Sequence, residues 1–444
     1  MFHFLYILVG IVVFLCVAMA AWIVSMRRNM PWQNCFAIFG NLKLPLPKSL
    51  HNYALTGQRD YSTLPDPLVM ADGTDVTRPE QFDTRRKEIL DLFEHHVYGT
   101  FPKDGFATSF EVAESGDALN GIALRKQVKI TVSTEKGSSD ALMLLYIPKT
   151  ASKAPVVIGM NFRGNHTVLE DAAILPSLSF HTGKNEKWQK KRGSAAYRWN
   201  IADSVSRGYA VATICSADFA PDSKNTYNSR VISLFDEPEF KAIGAWAFGL
   251  MRGVDYLTQD AAIDGTRIAV VGHSRLGKAA VWAGANDSRI GLVISNDSGN
   301  SGASLSRGNH GETVYTINMA FPHWFSKNYA QYGKNENALP VDQNLLLASI
   351  APRKLYVASA EKDLWSDPQG AFNSLKSAAK AYELYGCGSV LSADMETYPP
   401  TGQAYFHRFV GTHIRTGGHD ITAVDWKHYL NYMDVYFKKE ADNG

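Results

Sequence analysis

An uncharged run opens the chain: Phe2 to Met26 holds no Lys, Arg, Asp or Glu, and Arg27 and Arg28 follow at once. Its length suits a membrane-spanning helix, which needs about 20 apolar residues. Two readings stay open. Ala18-Met-Ala20 fits a signal-peptide cleavage site, yet there is no basic stretch before the run, and the apolar residues continue past the site. As an uncleaved anchor, the run would place the rest of the chain on the cytoplasmic side by its arginines. Residues 29–60 read as a linker, Pro-rich around Leu44-Pro-Leu-Pro47. Apolar spacing from Arg85 to Val97 predicts an amphipathic helix. Gln127 to Val132 and Ala141 to Pro148 read as strands joined by a polar turn. Short, largely apolar runs then recur: Pro155 to Met160, Tyr209 to Ile214, Ile268 to Val271, Gly291 to Ser295, Lys354 to Ser359, and a last one near Arg408 to Ile414. Such runs suit strands buried on both faces of a parallel sheet. Helical stretches, Ala242 to Leu257 and Ala423 to about Phe437, lie among them. Alternating strands and helices predict a mostly parallel, doubly wound α/β sheet across residues 61–444, after a hydrophobic segment (1–28) and the linker.

Composition adds exclusions. The chain has 444 residues, is 45% hydrophobic, and carries a net charge of +2, which gives no basis for nucleic-acid binding. It holds no Gly-rich phosphate loop, C-x-x-C pair or H-E-x-x-H motif. Cys16, Cys35, Cys215 and Cys387 match no zinc or haem spacing, so at most an isolated bridge is expected.

Chemistry enters where the Ile268 to Val271 strand stops. Gly272-His-Ser-Arg-Leu-Gly-Lys278 gives strand, sharp turn with Ser274 at its tip, then helix. This is the nucleophile-elbow layout of α/β-hydrolases, with the second glycine at 277 rather than 276. The helix start behind the serine offers free N–H groups to an oxyanion, and the loop Asn161 to His166 is where the fold places a second donor. A serine needs a base, and the base an orienting acid. His419, in Gly417-Gly-His-Asp420 after the last strand, holds the expected place; His413 and His407 compete but fall in or before that strand. Asp363 follows the penultimate strand and Asp297 the strand after the nucleophile, so both are candidates for the acid. Asp367, before Pro368, reads as a turn residue. Arg275 and Lys278 exceed what a plain esterase needs: Arg275 can place positive charge on the oxyanion, and Lys278, one helical turn from Ser274, faces the same end of the pocket.

These residues, with Asn296-Asp-Ser-Gly299, Phe321-Pro-His-Trp324, Ala351-Pro-Arg353 and Asp363-Leu-Trp-Ser-Asp-Pro368, make the chain resemble the glucuronoyl esterases (carbohydrate esterase family 15), in particular their bacterial branch, from about Leu64 onward. The resemblance implies hydrolysis of esters between 4-O-methyl-glucuronic acid on xylan and lignin alcohols, by acyl transfer through a serine, without cofactor or metal. It implies Ser274 as nucleophile, His419 as base, Arg275 at the oxyanion, and Lys278, Glu312 and Trp365 around the glucuronoyl ring. Two departures stand out. Position 297 is Asp where many members carry Glu, which shifts the triad acid toward Asp363. Asn300 stands where relatives often have Cys, so no bridge forms there. An extracytoplasmic enzyme, secreted, periplasmic or tethered by residues 2–26, follows from that substrate, against the side the arginines favour, and a monomer is expected. An esterase for acetyl or other carbohydrate esters, or an inactive carbohydrate-binding scaffold, are the alternatives.

Overall fold

The computed structural model describes residues 59–177, 191–387 and 397–437. The run Phe2 to Met26 and most of the expected linker lie outside these residues. No helix among the described residues is long and apolar enough to cross a membrane.

Among the described residues ten strands join in one sheet in the order β1-β2-β3-β5-β4-β6-β7-β8-β10-β9. They are β1 Ala107–Ala118, β2 Ala123–Thr134, β3 Gly137–Pro148, β4 Ala154–Asn161, β5 Ala210–Cys215, β6 Ile263–His273, β7 Ile290–Asn296, β8 Lys354–Ala360, β9 Ala404–Phe406 and β10 Val410–Arg415. From β5 to β10 every neighbour is parallel; β1, β2, β3 and β9 are antiparallel additions at the two edges. This is the mostly parallel α/β-hydrolase sheet expected. The helices that frame the site are α1 Pro79–Phe93, α2 Ala242–Leu257, α3 Arg275–Asn286, α4 Pro368–Glu383 and α5 Ala423–Tyr436.

The apolar runs form central strands because both their faces are covered. Along β6, Ile268 and Val270 join the core on the α2 and α3 side, while Ala269 and Val271 join the core built around α5. The two-residue period of a strand divides its side chains between the layers. Small residues set the spacing: a Cβ on Gly253 of α2 would come 2.5 Å from Ile158 of β4. A Cβ on Gly284 of α3 would come 2.2 Å from Val293 of β7.

Differences from the sequence reading lie at boundaries and edges. Helix α1 begins at Pro79, a residue suited to a first helical turn, and a π-helical turn, Glu94–Tyr98, extends it. β1 escaped notice because it is an edge strand whose side chains are mostly exposed, so no apolar run marks it. Arg59, assigned to the linker, is already packed on the domain. Cys215 and Cys387 are free thiols.

Candidate active site

The elbow is built by close packing. A Cβ on Gly272 would come 2.1 Å from the Leu276 carbonyl oxygen. One on Gly277 would come 2.8 Å from Ser298 and 2.9 Å from the Gly272 carbonyl. The second glycine therefore falls at 277, where α3 crosses the turn, and not at 276. Ser274 takes φ 59°, ψ −132°, a strained conformation for a non-glycine residue, and it is held there on both sides. Its N–H donates to the Asn296 carbonyl at 2.9 Å, and its own carbonyl accepts from Gly277 at 2.8 Å.

His419 lies with Nε2 2.8 Å from Ser274 Oγ and Nδ1 2.6 Å from Asp363 Oδ2. A carboxylate can only accept, so the Nδ1 proton points at Asp363 and leaves Nε2 to take the serine proton. The His419 side chain is 44% exposed, open to a ligand, whereas Asp363 is 4% exposed. The loop of His419 is wrapped by Arg415, which donates to the carbonyls of Thr416, Gly418 and Asp420. Neither competing histidine reaches Ser274. His413 is buried between Asp425 and Tyr356, and His407 pairs locally with the Phe409 N–H.

Asp297 occupies the second acid position without bonding His419. Its Oδ1 accepts from the Ala360 N–H at 2.8 Å, and its Oδ2 from Arg415 at 3.3 Å. Burial, then the neighbouring charge of Asp363, pushes its carboxyl well above the ordinary carboxylate range. Atoms of Asp297, Asp363 and His419 come within 4.8 Å of one another, close enough to consider a metal. Both histidine nitrogens are engaged, and Arg415 sits on the Asp297 oxygen, so the group is arranged as a hydrogen-bonded relay.

Arg275 lies over Trp324, 4.9 Å from its ring centre, with Phe321 and Phe162 at 5.4 and 5.9 Å, and its guanidinium pairs with Asp222. Asp222 also accepts from His323 Nε2 at 3.0 Å and Trp324 Nε1 at 2.7 Å. Burial alone would raise this carboxyl; the bond from His323 and the charge of Arg275 outweigh it and hold it near a pKa of about 2. The Phe321-Pro-His-Trp324 motif thus has a task, to cradle Arg275 and fix its counter-ion. Asp222 was missed in the sequence; it lies in a loop after β5, past the helical turn Ser216–Phe219, and no motif marks it. Phe162 belongs to the loop after β4, which the fold brings against Arg275. Within that loop Gly164, at φ 96°, gives its N–H to Asn161 Oδ1.

Lys278 is 3% exposed and donates to the carbonyls of Ser298 (2.7 Å) and Asn300, and to Glu312 Oε2 (3.0 Å). An ammonium has three donors, and all three are used inside the protein. Burial lowers the Lys278 pKa and Glu312 opposes that shift. Trp365 is half-buried, and its carbonyl accepts from the Glu312 N–H at 2.8 Å. Asn300 accepts from Tyr329 and Ser301, both at 2.8 Å. Asp367 caps α4 through the Gly370 N–H, as its turn reading implied.

A parallel sheet with a strained serine elbow at its carboxyl edge defines the α/β-hydrolase class. The family model described as glucuronyl esterase, fungi, matches residues 196–386. The chain is 41% identical to carbohydrate esterase MZ0003 of an unknown prokaryotic organism, over 86% of its own length and 91% of that protein's. A promiscuous CE15 esterase from a marine bacterial metagenome superposes with a TM-score of 0.77 at 39% identity, over 85% of this chain and 100% of that one. The glucuronoyl esterase from Solibacter usitatus superposes with a TM-score of 0.79 at 38% identity, over 86% and 99%. The chain belongs to carbohydrate esterase family 15, the glucuronoyl esterases, and is a carboxylic ester hydrolase.

Proposed function

We propose that this enzyme hydrolyses esters of (4-O-methyl-)glucuronic acid, as in lignin–glucuronoxylan linkages, through Ser274, His419 and Asp363. The observation that carries this reading is the continuous relay from Asp363 through His419 to Ser274 beside the buried Lys278–Glu312 pair. Ser274 Oγ attacks the uronoyl carbonyl while His419 Nε2 takes its proton, and Asp363 stabilises the imidazolium that forms. The oxyanion is held by the Arg275 guanidinium and by N–H groups at the start of α3, which the helix leaves without an intrahelical acceptor. His419 then returns the proton to the leaving alcohol, and the C–O bond breaks to give the acyl-enzyme. Water, deprotonated by His419, attacks that ester and releases the uronic acid, and Ser274 regains its proton.

For the sugar, Lys278 acts mainly by fixing Glu312, whose carboxylate accepts from ring hydroxyls, while Trp365 offers an apolar face. A glucuronoxylan substrate fits an enzyme working outside the cytoplasm, with Phe2 to Met26 as export segment or tether. The promiscuity of the marine relative supports a second reading, a broader carbohydrate esterase. Rates on benzyl glucuronate and p-nitrophenyl acetate separate the two: the glucuronate reading requires kcat/KM on the uronate to be the larger. Ser274→Ala is expected to lower kcat on benzyl glucuronate by at least about 10⁴-fold. Undiminished turnover by that variant would remove Ser274 as nucleophile.

A further inference from the structure

Arg59 reaches from the start of the described chain to the sugar side of the site. Its guanidinium makes two parallel bonds to the Asp367 carboxylate, both 2.7 Å, and one of its nitrogens also donates to the Gly308 carbonyl at 3.1 Å. The two side chains are 5% and 2% exposed. Asp367 ends the loop that carries Asp363 and Trp365. Its backbone sits at φ 52°, a costly position for a residue with a Cβ, so bonds to its carboxylate help hold the bend. The same carboxylate accepts from the His310 N–H at 3.3 Å. Gly308 and His310 belong to the loop that carries Glu312. Gly308 has φ 59°, and a Cβ there would come 3.1 Å from the Tyr61 ring and 3.2 Å from the Asp60 carbonyl, so the segment of Arg59 lies directly on that loop.

One guanidinium therefore bonds both loops that face the sugar. Between the loops run the Glu312 N–H to Trp365 carbonyl bond and the bond from Ser304 Oγ to the Ser366 carbonyl. The proton relay has further anchors of its own: the Asp363 N–H donates to the Ala360 carbonyl at the end of β8, and Arg415 wraps the loop of His419. We propose that Arg59 is a positioning residue for glucuronate binding, clamping the Glu312 loop to the Trp365 loop so that the two sugar-holding groups keep their spacing. This rests on the reading of Glu312 and Trp365 given above. Bidentate geometry is essential to the role, because a lysine delivers a point charge and cannot bridge Asp367 and Gly308 with the same fork.

The test compares wild type, Arg59→Ala, Arg59→Lys and Asp367→Asn as full chains, on benzyl glucuronate and p-nitrophenyl acetate, with melting temperatures alongside. Arg59→Ala is expected to raise KM for the glucuronate about tenfold, with kcat changed less than about threefold. The acetate rate, which needs the relay and not the sugar wall, should fall less than about twofold. Added guanidinium at millimolar concentration should recover part of the lost KM in Arg59→Ala. Arg59→Lys should lie between Ala and wild type, and Asp367→Asn should repeat the KM effect with Arg59 intact, which covers the case where Arg59→Ala does not fold. An unchanged glucuronate KM, or an equal fall on both substrates, would overturn the proposal while leaving the function standing. A wild-type enzyme that turns over acetate but no glucuronate ester removes the substrate reading and the clamp with it.

Discussion

The nucleophile and the sugar wall face the same site but are held in opposite ways. Ser274 is fixed mainly by its own neighbours in sequence, Gly272, Gly277 and the first turn of α3, with one long-range bond from its N–H to the Asn296 carbonyl. Glu312 and Trp365 are fixed by distant partners, Lys278 from α3 and the backbone of the facing loop. The elbow is a local device that any α/β-hydrolase can carry. The wall is a tertiary one, built from residues that can be replaced without touching the serine. Variants on the relay should therefore lose chemistry and keep the fold, while variants on the wall should lose binding and stability together.

After loss of Ser274 itself, the largest break is expected at the relay's acid. Asp363→Asn can present an N–H to His419 Nδ1 and favour the tautomer that cannot accept from Ser274. It should lower kcat on benzyl glucuronate by about 10³–10⁴-fold with little change in KM. Steady-state rates check this. If Asp363→Asn stays active and Asp297→Asn does not, the orienting acid is the other one.

The same contrast explains what could be read from the sequence. The elbow was legible because glycines, serine and apolar strand are contiguous, and each central strand was legible because burial on both faces leaves an unbroken apolar run. The edge strand β1, with exposed faces, left no such mark. Lys278 was legible as facing the site, yet its three internal acceptors were not, since two are backbone carbonyls whose direction only the folded loop sets. Asp222 and Arg415 were missed for a related reason. Asp222 is a single charged residue in a loop and Arg415 one at the end of β10, and their pairings with Arg275 and Asp297 come from positions far along the chain. Asp297 and Asp363 both sit at carboxyl ends of strands, so topology alone could not choose between them.

The Lys278–Glu312 pair gives the next largest effect and separates the wall's two duties. Lys278→Met leaves Glu312 buried without its cation and should cost about 3–5 kcal/mol of stability. Adding Glu312→Leu should restore most of that, because the charge left behind is gone. Neither variant should bind glucuronate well: KM is expected to rise at least about tenfold in both. Urea melts and KM values on benzyl glucuronate check the pair. Recovery of KM along with stability in the double variant would show that the pair serves packing and not the sugar.

The smallest effect on activity is expected at Asp297, where the relay meets its buried neighbour. Burial and the charge of Asp363 hold its carboxyl in the neutral form to higher pH than an ordinary aspartate. Asp297→Asn keeps a neutral group of the same shape, so kcat near pH 7 should change less than about threefold. Its mark is on stability against pH. Wild-type Asp297 binds its proton more tightly folded than unfolded, so folding loses stability as pH rises above about 4, the unfolded value, until the raised folded value is passed. The asparagine variant lacks that loss. Its stability relative to wild type should climb with pH through that window and then level off, whatever fixed cost the weakened bond to Arg415 adds. Urea midpoints from pH 4 to 8 read the slope directly. A flat difference across the window would mean that Asp297 is ionised beside Asp363, and that Arg415 outweighs burial at this corner of the site.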